Sequence, residues 1–365
     1  MDQPSRTFLH VVPLDLARGA QIFLQALCDE LNGEDRHEIV TLFEASPTVL
    51  RPDHELGVPN GRLRMAGFNP KASWRLRTLI RTRRPDAVVA HGGESLKYAA
   101  FVTPRPTRLV YYKIGIASSR LSNPVRGAAQ RATIRRADAV AAVSREAAEE
   151  AHKLLGVPED RLSVVPNGRD ADVYRPAQTR RHGPPRMVFV GHLTRTKRPE
   201  RFISAVAELR SRGADLEAAM VGAGPLAGSL EGPAAAAGVM LLGRRNDVPD
   251  ILADADLFMF TSLSEGEGMP GVLIEAGLSG LPVITTDVPG ASTVIQHRET
   301  GVVVDVDDMT GLVDGAFELL ADHELRATMS QAARALCVAQ FSLRSSTDQW
   351  RALLDSVVGD SRSPG

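Results

Sequence analysis

The sequence predicts an α/β protein made of two doubly wound domains, each a parallel sheet covered by helices. Three observations carry this. Short apolar runs alternate with amphipathic stretches along most of the chain, as buried parallel strands alternate with covering helices. The rhythm breaks once, at the Pro-, Arg- and Gly-rich stretch 176–186 (PAQTRRHGPPR), and then restarts. A length of 365 residues is most simply two domains of ordinary size.

In the first half, residues 7–13 read as the opening strand and 20–31 as a helix with Ile22, Leu24, Leu27 and Leu31 along one side. Residues 39–43 form a strand, 75–83 a helix and 86–90 a buried strand. Strands at 109–112, 137–142 and 162–165 follow, with helices at 124–135 and 144–155. In the second half, strands are expected at 187–190, 218–221, 239–242, 257–260, 283–285 and 301–304, with a helix at 200–210. The stretch 342–358 is amphipathic through Trp350, Leu353, Leu354 and Val357. The domains are accordingly 1–178 and 186–341. In such sheets ligands bind beyond the carboxyl ends of the strands, and the cleft between two domains is the natural site.

Composition narrows the class. Charged residues are 24% and hydrophobic residues 43%, values that exclude general disorder. The net charge is −1, yet residues 1–180 hold 27 Lys and Arg against 20 Asp and Glu, and residues 181–365 hold 16 against 24. Such a division suits two units with different partners, or a solvated surface with no partner. Cys28 and Cys337 stand far apart and form neither a disulfide framework nor a zinc cluster, so a reducing compartment is the default. No apolar run approaches about 18 residues, the length a membrane-spanning helix needs. Asp2, His10 and Asp15 interrupt the N-terminal apolar stretch, which is poor material for a signal peptide. A cytoplasmic protein is expected. Arg outnumbers Lys and Ala is abundant, which suits a GC-rich bacterial source.

The most informative segment is 264–282, SEGEGMPGVLIEAGLSGLP. A strand runs into a loop holding Gly266, Gly268 and Pro270, and a helix starts near Pro270, where a missing N–H costs nothing. The amides of Gly268, Met269, Gly271 and Val272 at a positive helix end would make an anion site suited to a diphosphate. Glu267 and Glu275 flank it with seven residues between them. Carboxylates beside a phosphate cradle are unfavourable unless they bind something else, and ribose or sugar hydroxyls are suitable donors to them. Read by itself, the segment also fits a plain Gly/Pro loop with carboxylates favoured by the helix dipole.

This segment resembles the signature of the family-four glycosyltransferases, whose fold is GT-B: two Rossmann-like domains with an interdomain cleft. Glu267-Gly268-Met269-Pro270 and Leu273-Ile274-Glu275-Ala276 match the family's paired glutamates. Glu265 also precedes a glycine, but its spacing to Glu275 is wrong for the family position. Further stretches fall in the family's order: 188–197 (VFVGHLTRTK), 221–225 (VGAGP), 281–289 (LPVITTDVP), 299–304 (ETGVVV), and more loosely Arg18-Gly19-Ala20-Gln21, 85–91 (PDAVVAH) and 165–170 (VPNGRD).

The resemblance implies a metal-independent, retaining transferase that takes a nucleoside diphosphate sugar as donor substrate and needs no cofactor. It implies that Glu275 holds the ribose hydroxyls, Glu267 lies near the donor sugar, and Lys197 meets the diphosphate. The family's usual arginine partner of that lysine is replaced here by His192; Arg195 or Arg198 would restore the charge. It also implies that Arg244 lies by the nucleobase, that His91 approaches the donor sugar, and that Gly19 lets the backbone come close to substrate. The last helix, 342–358, would pack back on the N-terminal domain. Lys113 replaces a more usual histidine and could meet an acidic acceptor. The acceptor would be a cell-envelope glycan, a glycolipid or a secondary metabolite. The alternatives are a nucleotide-sugar-binding protein without turnover, which His192 motivates, and a GT-B epimerase.

Other signals carry less. Gly222-Ala223-Gly224 with Gly228 mimics a dinucleotide fingerprint with its third glycine misplaced. Asp254 and Asp256, and Asp170 and Asp172, have a metal-pair spacing but sit wrongly for a nucleotide. The basic run 74–84 (WRLRTLIRTRR) reads as a covering helix, or as one lying on the anionic inner face of a membrane. Nucleic acid is not an expected partner.

Overall fold

A computed structural model describes residues 6–15, 19–33, 35–46, 48–61, 67–116, 124–178, 183–265 and 267–359, without the side chains of 124–126. The chain forms two compact units, Met1–Asn167 with Ser346–Gly365, and Gly168–Ser345.

The first unit carries strands β1 (Thr7–Val12), β2 (Arg36–Phe43), β3 (His54–Val58), β4 (Ala87–His91), β5 (Arg108–Lys113), β6 (Ala139–Ala142) and β7 (Leu162–Val164). They pair in the order β3-β2-β1-β4-β5-β6-β7, every pair parallel. The described helices between them are α1 (Gly19–Leu31), α2 (Pro70–Arg83), α3 (Gly92–Val102), α4 (Pro124–Ile134) and α5 (Arg145–Lys153). The central strands are nearly continuous apolar runs because helices cover both faces. Strand order reverses between β1 and β4, which opens a crevice at their carboxyl ends.

The helix α2 shows how local chemistry sets a boundary. The Asn69 side chain accepts from the amides of Lys71 (3.0 Å) and Ala72, and Pro70 occupies the first turn. Two of its basic residues serve the fold. Arg75 donates to the carbonyls of Leu56 and Gly57 (2.8 Å to the latter), and Arg83 pairs with Glu38. It is a covering helix, although Trp74 on its outer side is 66% exposed.

The second unit carries β8 (Arg186–Val190), β9 (Glu217–Val221), β10 (Val239–Gly243), β11 (Leu257–Phe260), β12 (Val283–Thr286) and β13 (Gly301–Val304), all parallel, in the order β10-β9-β8-β11-β12-β13. Its helices are α6 (Pro199–Ser211), α7 (Ala227–Ala237), α8 (Val248–Ala253), α9 (Gly271–Leu278), α10 (Ala291–Val294), α11 (Met309–Ala321) and α12 (His323–Phe341). Here the order reverses between β8 and β11.

The last helix, α13 (Leu343–Val358), contributes residues from Ser346 onward to the first unit. Trp350 is fully buried there, edge-on to Tyr112 with ring centres 4.9 Å apart.

The structure departs from the sequence expectations in four places. The units divide after Asn167, not near 178, because the following segment is tied into the second unit. Arg169 exchanges backbone bonds with Phe341 and Leu343 (3.0 and 2.7 Å), and Arg334 donates to the carbonyls of Ala171 and Tyr174 (3.0 and 2.6 Å). The return to the first unit comes at Ser346 rather than 342. Strand β3 and helix α3 were not anticipated. Pro270 is the residue before α9, extended at ψ 106°, and Gly271 opens the helix. Residues 179–182 of the interrupting stretch lie outside the described residues. No described helix is long and apolar enough to cross a membrane.

Candidate functional site

In the second unit the loops leaving β8 and β11 meet at the point where strand order reverses. Thr261 Oγ1 donates to the carbonyls of Lys197 and Arg198, both at 2.9 Å, and the Leu263 amide donates to the Thr196 carbonyl at 2.7 Å. The loop after β11 thereby fixes the backbone that carries Lys197. The Lys197 ammonium is ion-paired with Glu267 and lies 4.8 Å from the centre of the Phe260 ring. Ser262 Oγ donates to the same Glu267 oxygen at 3.0 Å, and Thr286 Oγ1 in turn holds the Ser262 carbonyl at 2.7 Å. Glu265, the competing position, is exposed.

The loop then enters α9. Gly268, Met269 and Pro270 are buried, and no side chain caps the helix. A Cβ on Gly290, which sits at φ 79°, would meet the Gly268 carbonyl oxygen at 2.6 Å and Met269 Cα at 2.7 Å. The turn before α10 is therefore pressed against this loop and shapes it. Gly271 and Val272 are half-buried in the first turn. Glu275 lies one turn further in, and Arg169 Nε donates to its Oε1 at 2.7 Å. The side chains are 6% and 16% exposed, so this is a largely buried ion pair. Gly271 leaves room for it: a Cβ there would stand 2.3 Å from Arg169 Nη2. Burial, followed by the Glu275 charge, pushes the Tyr174 hydroxyl well above its ordinary range.

The structure thus sets Lys197, on the loop after β8, against Glu267, which the loop after β11 joins through the Gly268–Val272 stretch to Glu275 on α9. His192 stands exposed on the same loop as Lys197, its carbonyl accepting from the Thr194 amide at 2.8 Å. Of the two arginines that could replace a missing charge, Arg198 is paired with Asp307 at 2.8 Å and Arg195 is exposed. Arg244 is exposed past the end of the edge strand β10. Sequence reasoning missed Arg169, although the stretch 165–170 that holds it had been noted.

The signals set aside have structural roles. A Cβ on Gly222 would fall 1.8 Å from the Gly191 carbonyl oxygen, and one on Gly224 would fall 2.4 Å from that of Leu193. These glycines let two loop backbones approach. Asp256 accepts from the Arg186 amide at 2.8 Å and Asp254 pairs with the Arg186 guanidinium. Asp170 accepts from the Asp172 amide at 2.8 Å.

In the first unit, a crevice of about 690 Å³ lies at the strand-order reversal, lined among others by Leu14, Gln21, His91, Lys97, Tyr111 and Lys113. Gly19 opens α1, near Ala20 and Gln21 of the crevice wall, and Arg18 lies outside the described residues. Lys113 does not offer its charge to a ligand as expected. It is 1% exposed, ion-paired with Glu150, and donates to the Gly115 carbonyl at 2.5 Å. A buried ammonium needs such a partner. His91 closes β4 with 6% exposure, and burial pushes its imidazole down to about 3.

Two families match. The description "Glycosyltransferase Family 4" covers residues 17–173, and "Glycosyl transferases group 1" covers 170–336. N-acetyl-alpha-D-glucosaminyl L-malate synthase of Bacillus anthracis is 29% identical over 63% of this chain and 62% of its own length. Alpha-D-kanosaminyltransferase of Streptomyces kanamyceticus is 30% identical over 63% of each. The chain thus spans somewhat less than two thirds of the length of these relatives. Among solved structures, Anabaena HepE in complex with UDP is similar with a TM-score of 0.79 at 19% identity, over 97% of this chain and 100% of that one. Sucrose-phosphate synthase from Thermosynechococcus elongatus gives 0.81 at 16% identity, over 96% and 98%. With its two parallel-sheet units, the chain belongs to the family-four, group 1 glycosyltransferases of the GT-B fold.

Proposed function

We propose that the protein moves a sugar from a nucleoside diphosphate sugar to an acceptor hydroxyl, with retention at the anomeric carbon and with neither a divalent metal nor a cofactor. The observation that carries this is the Lys197–Glu267 pair at the reversal point of the second sheet, followed directly by the uncapped start of α9. Transfer piles charge on the departing diphosphate. Lys197 and the α9 amides neutralise it, which supplies what a metal supplies elsewhere. His192 adds a donor in the matching tautomer. Glu275, held by Arg169 at Oε1, offers Oε2 to the ribose hydroxyls. Glu267 turns to the sugar once the diphosphate engages Lys197, and Arg244 borders the base. No protein nucleophile is assigned, and attack on the face the diphosphate leaves accounts for retention. His91, on the wall of the first unit's crevice, approaches the donor sugar, Gly19 lets the backbone come close to substrate, and the acceptor enters the same crevice.

Melting curves with UDP, GDP, ADP and dTDP test the reading, because a ligand that binds only the folded chain raises the midpoint. UDP leads the panel because HepE was crystallised with it. One or two nucleotides are expected to stabilise, with the shift abolished in Glu275→Ala. A panel without any shift overturns the donor site. Turnover that persists in EDTA supports metal independence, and its loss there refutes it. The exposed His192 favours one second reading, a nucleotide-sugar-binding protein. Calorimetric binding with no nucleoside diphosphate release on any acceptor would select it.

A further inference from the structure

Three histidines cross the first unit in one chain of contacts. His10 Nδ1 lies 3.0 Å from His91 Nε2, and His10 Nε2 lies 3.0 Å from His37 Nδ1. Their exposures are 0% for His10, 6% for His91 and 4% for His37. Aromatic neighbours fix the end rings: Phe8 stacks on His37 at 4.8 Å, and Trp350 lies nearly parallel to His91 at 6.2 Å. We propose that His10 and His37 are positioning residues for His91, holding it in the Nε2–H tautomer so that its Nδ1 lone pair is left for a substrate hydroxyl in the crevice. This rests on the reading above that the crevice receives substrate.

The argument is one of proton counting. Each N···N contact at 3.0 Å holds one hydrogen, and a neutral imidazole carries one. The contacts run head to tail, Nδ1 to Nε2 each time. The three rings are therefore all Nε2–H or all Nδ1–H, and no mixed arrangement makes both bonds. Burial keeps the rings neutral, with His91 pushed down to about 3, His37 to about 4, and His10 lowered well below its ordinary value.

The His91 end of the chain chooses between the states. His91 is the residue before α3, and no side chain caps that helix, so a positive helix end favours a lone pair on His91. At the other end, His37 opens on a cavity of about 550 Å³, lined by Glu30, Asp35 and Asp355 against Arg6 and Arg351. Arg6 is paired there with both Asp35 and Asp355, and Asp35 faces His37 against Arg6 and Arg351, so the charges at this end largely cancel. The helix end at His91 selects the all-Nε2–H state. On the crevice side, Lys97 and Glu94 line the same wall, and Lys113 is bound to Glu150.

Imidazole ¹⁵N NMR of the intact protein, with the three rings assigned through single variants, reads the tautomers directly. The expected spectrum at pH 7.5 has pyrrole-like Nε2 and pyridine-like Nδ1 on His10, His37 and His91. Pyrrole-like Nδ1 on His91, or averaged shifts on it, overturns the proposal. His10→Asn, which keeps an acceptor near the Nδ1 position, should preserve the His91 pattern; His10→Leu should scramble it. An unchanged His91 pattern in His10→Leu also overturns the proposal. If His10→Leu does not fold, the wild-type and His10→Asn spectra still decide. A confirmed tautomer together with full turnover in His91→Ala would refute the role of His91 in transfer and leave the histidine chain standing.

Discussion

Arg169 Nε donates to Glu275 Oε1 at 2.7 Å across 106 residues of sequence, and both side chains are largely withdrawn from water. Removing one partner of such a pair leaves the other charge buried and alone, which costs more than the pair itself contributes. Arg169→Ala is expected to lower unfolding stability by about 2–4 kcal/mol and to weaken nucleotide binding, because Glu275 loses the contact that aims it. A Cβ on Gly271 would stand 2.3 Å from the same guanidinium, and Gly271→Ala should cost about 1–3 kcal/mol by overpacking. In an Arg169→Ala background that second cost should shrink. A double-mutant cycle from urea midpoints measures it, and strict additivity would show that Arg169 is not what Gly271 makes room for.

Lys197 cannot serve a diphosphate and Glu267 equally at once. Its ammonium is paired with Glu267, while Ser262 supports that carboxylate at 3.0 Å. Glu267→Gln removes a competitor for the lysine and a negative charge beside the incoming phosphates. It should therefore tighten binding of the stabilising nucleoside diphosphate by about tenfold, the effect of one released charged hydrogen bond, while turnover falls. Lys197→Ala should weaken binding instead. Calorimetry on both variants separates the two charges, and weaker binding in Glu267→Gln would mean the carboxylate helps hold the nucleotide.

Much of this was legible because alternation and punctuation are local signals. The apolar runs of β11 and β12 and the Gly/Pro loop between β11 and α9 announce a strand, a turn and a helix start from their own residues. What the sequence hid depends on tertiary partners. Strand β3 is His54-Glu55-Leu56-Gly57-Val58, with no clean alternation, and it is held by pairing with β2 and by Arg75 on two of its carbonyls. Helix α3 opens on Gly92 and Gly93, which read as a loop, and Gly92 does sit at φ 82°. Helix α7 contains Pro233, a helix breaker by propensity. Nothing local ties Arg169 to Glu275, or sets His10, His37 and His91 in a row. Those relations exist only once parallel strands stand side by side.

The glycines after β9 are a case where the shape of a motif and its role separate. Gly222 adopts φ 147°, and a Cβ there would sit 1.8 Å from the Gly191 carbonyl oxygen. Backbone cannot retreat as a flexible side chain can. Gly222→Ala should destabilise the protein by more than about 3 kcal/mol with or without nucleotide present. A melting curve decides. A variant that keeps its melting temperature and loses only nucleotide binding would return this segment to the ligand.

The buried histidines make stability depend on pH with a definite sign. An unfolded histidine titrates near 6.5, whereas His91 and His37 are pushed down to about 3 and about 4 in the folded chain and His10 is also lowered, burial being the leading cause each time. Below pH 6.5 the unfolded chain takes up protons that the folded chain refuses. The stabilisation is fully present above about 6.5 and is lost as pH falls toward the folded values, by up to about 1.4 kcal/mol per pH unit for each histidine. Carboxylates held low by partners, such as Asp35 by Arg6 and Glu38 by Arg83, add their own loss only below the ordinary carboxylate range. Between pH 6.5 and 5 the slope therefore belongs mainly to the histidines. His37→Phe, which can still stack on Phe8, should reduce that slope by about a third, one of the three protons being removed. Urea midpoints at half-unit steps measure it, and a wild-type stability that stays flat from pH 7 to 5 would mean these rings are already protonated or reachable by water.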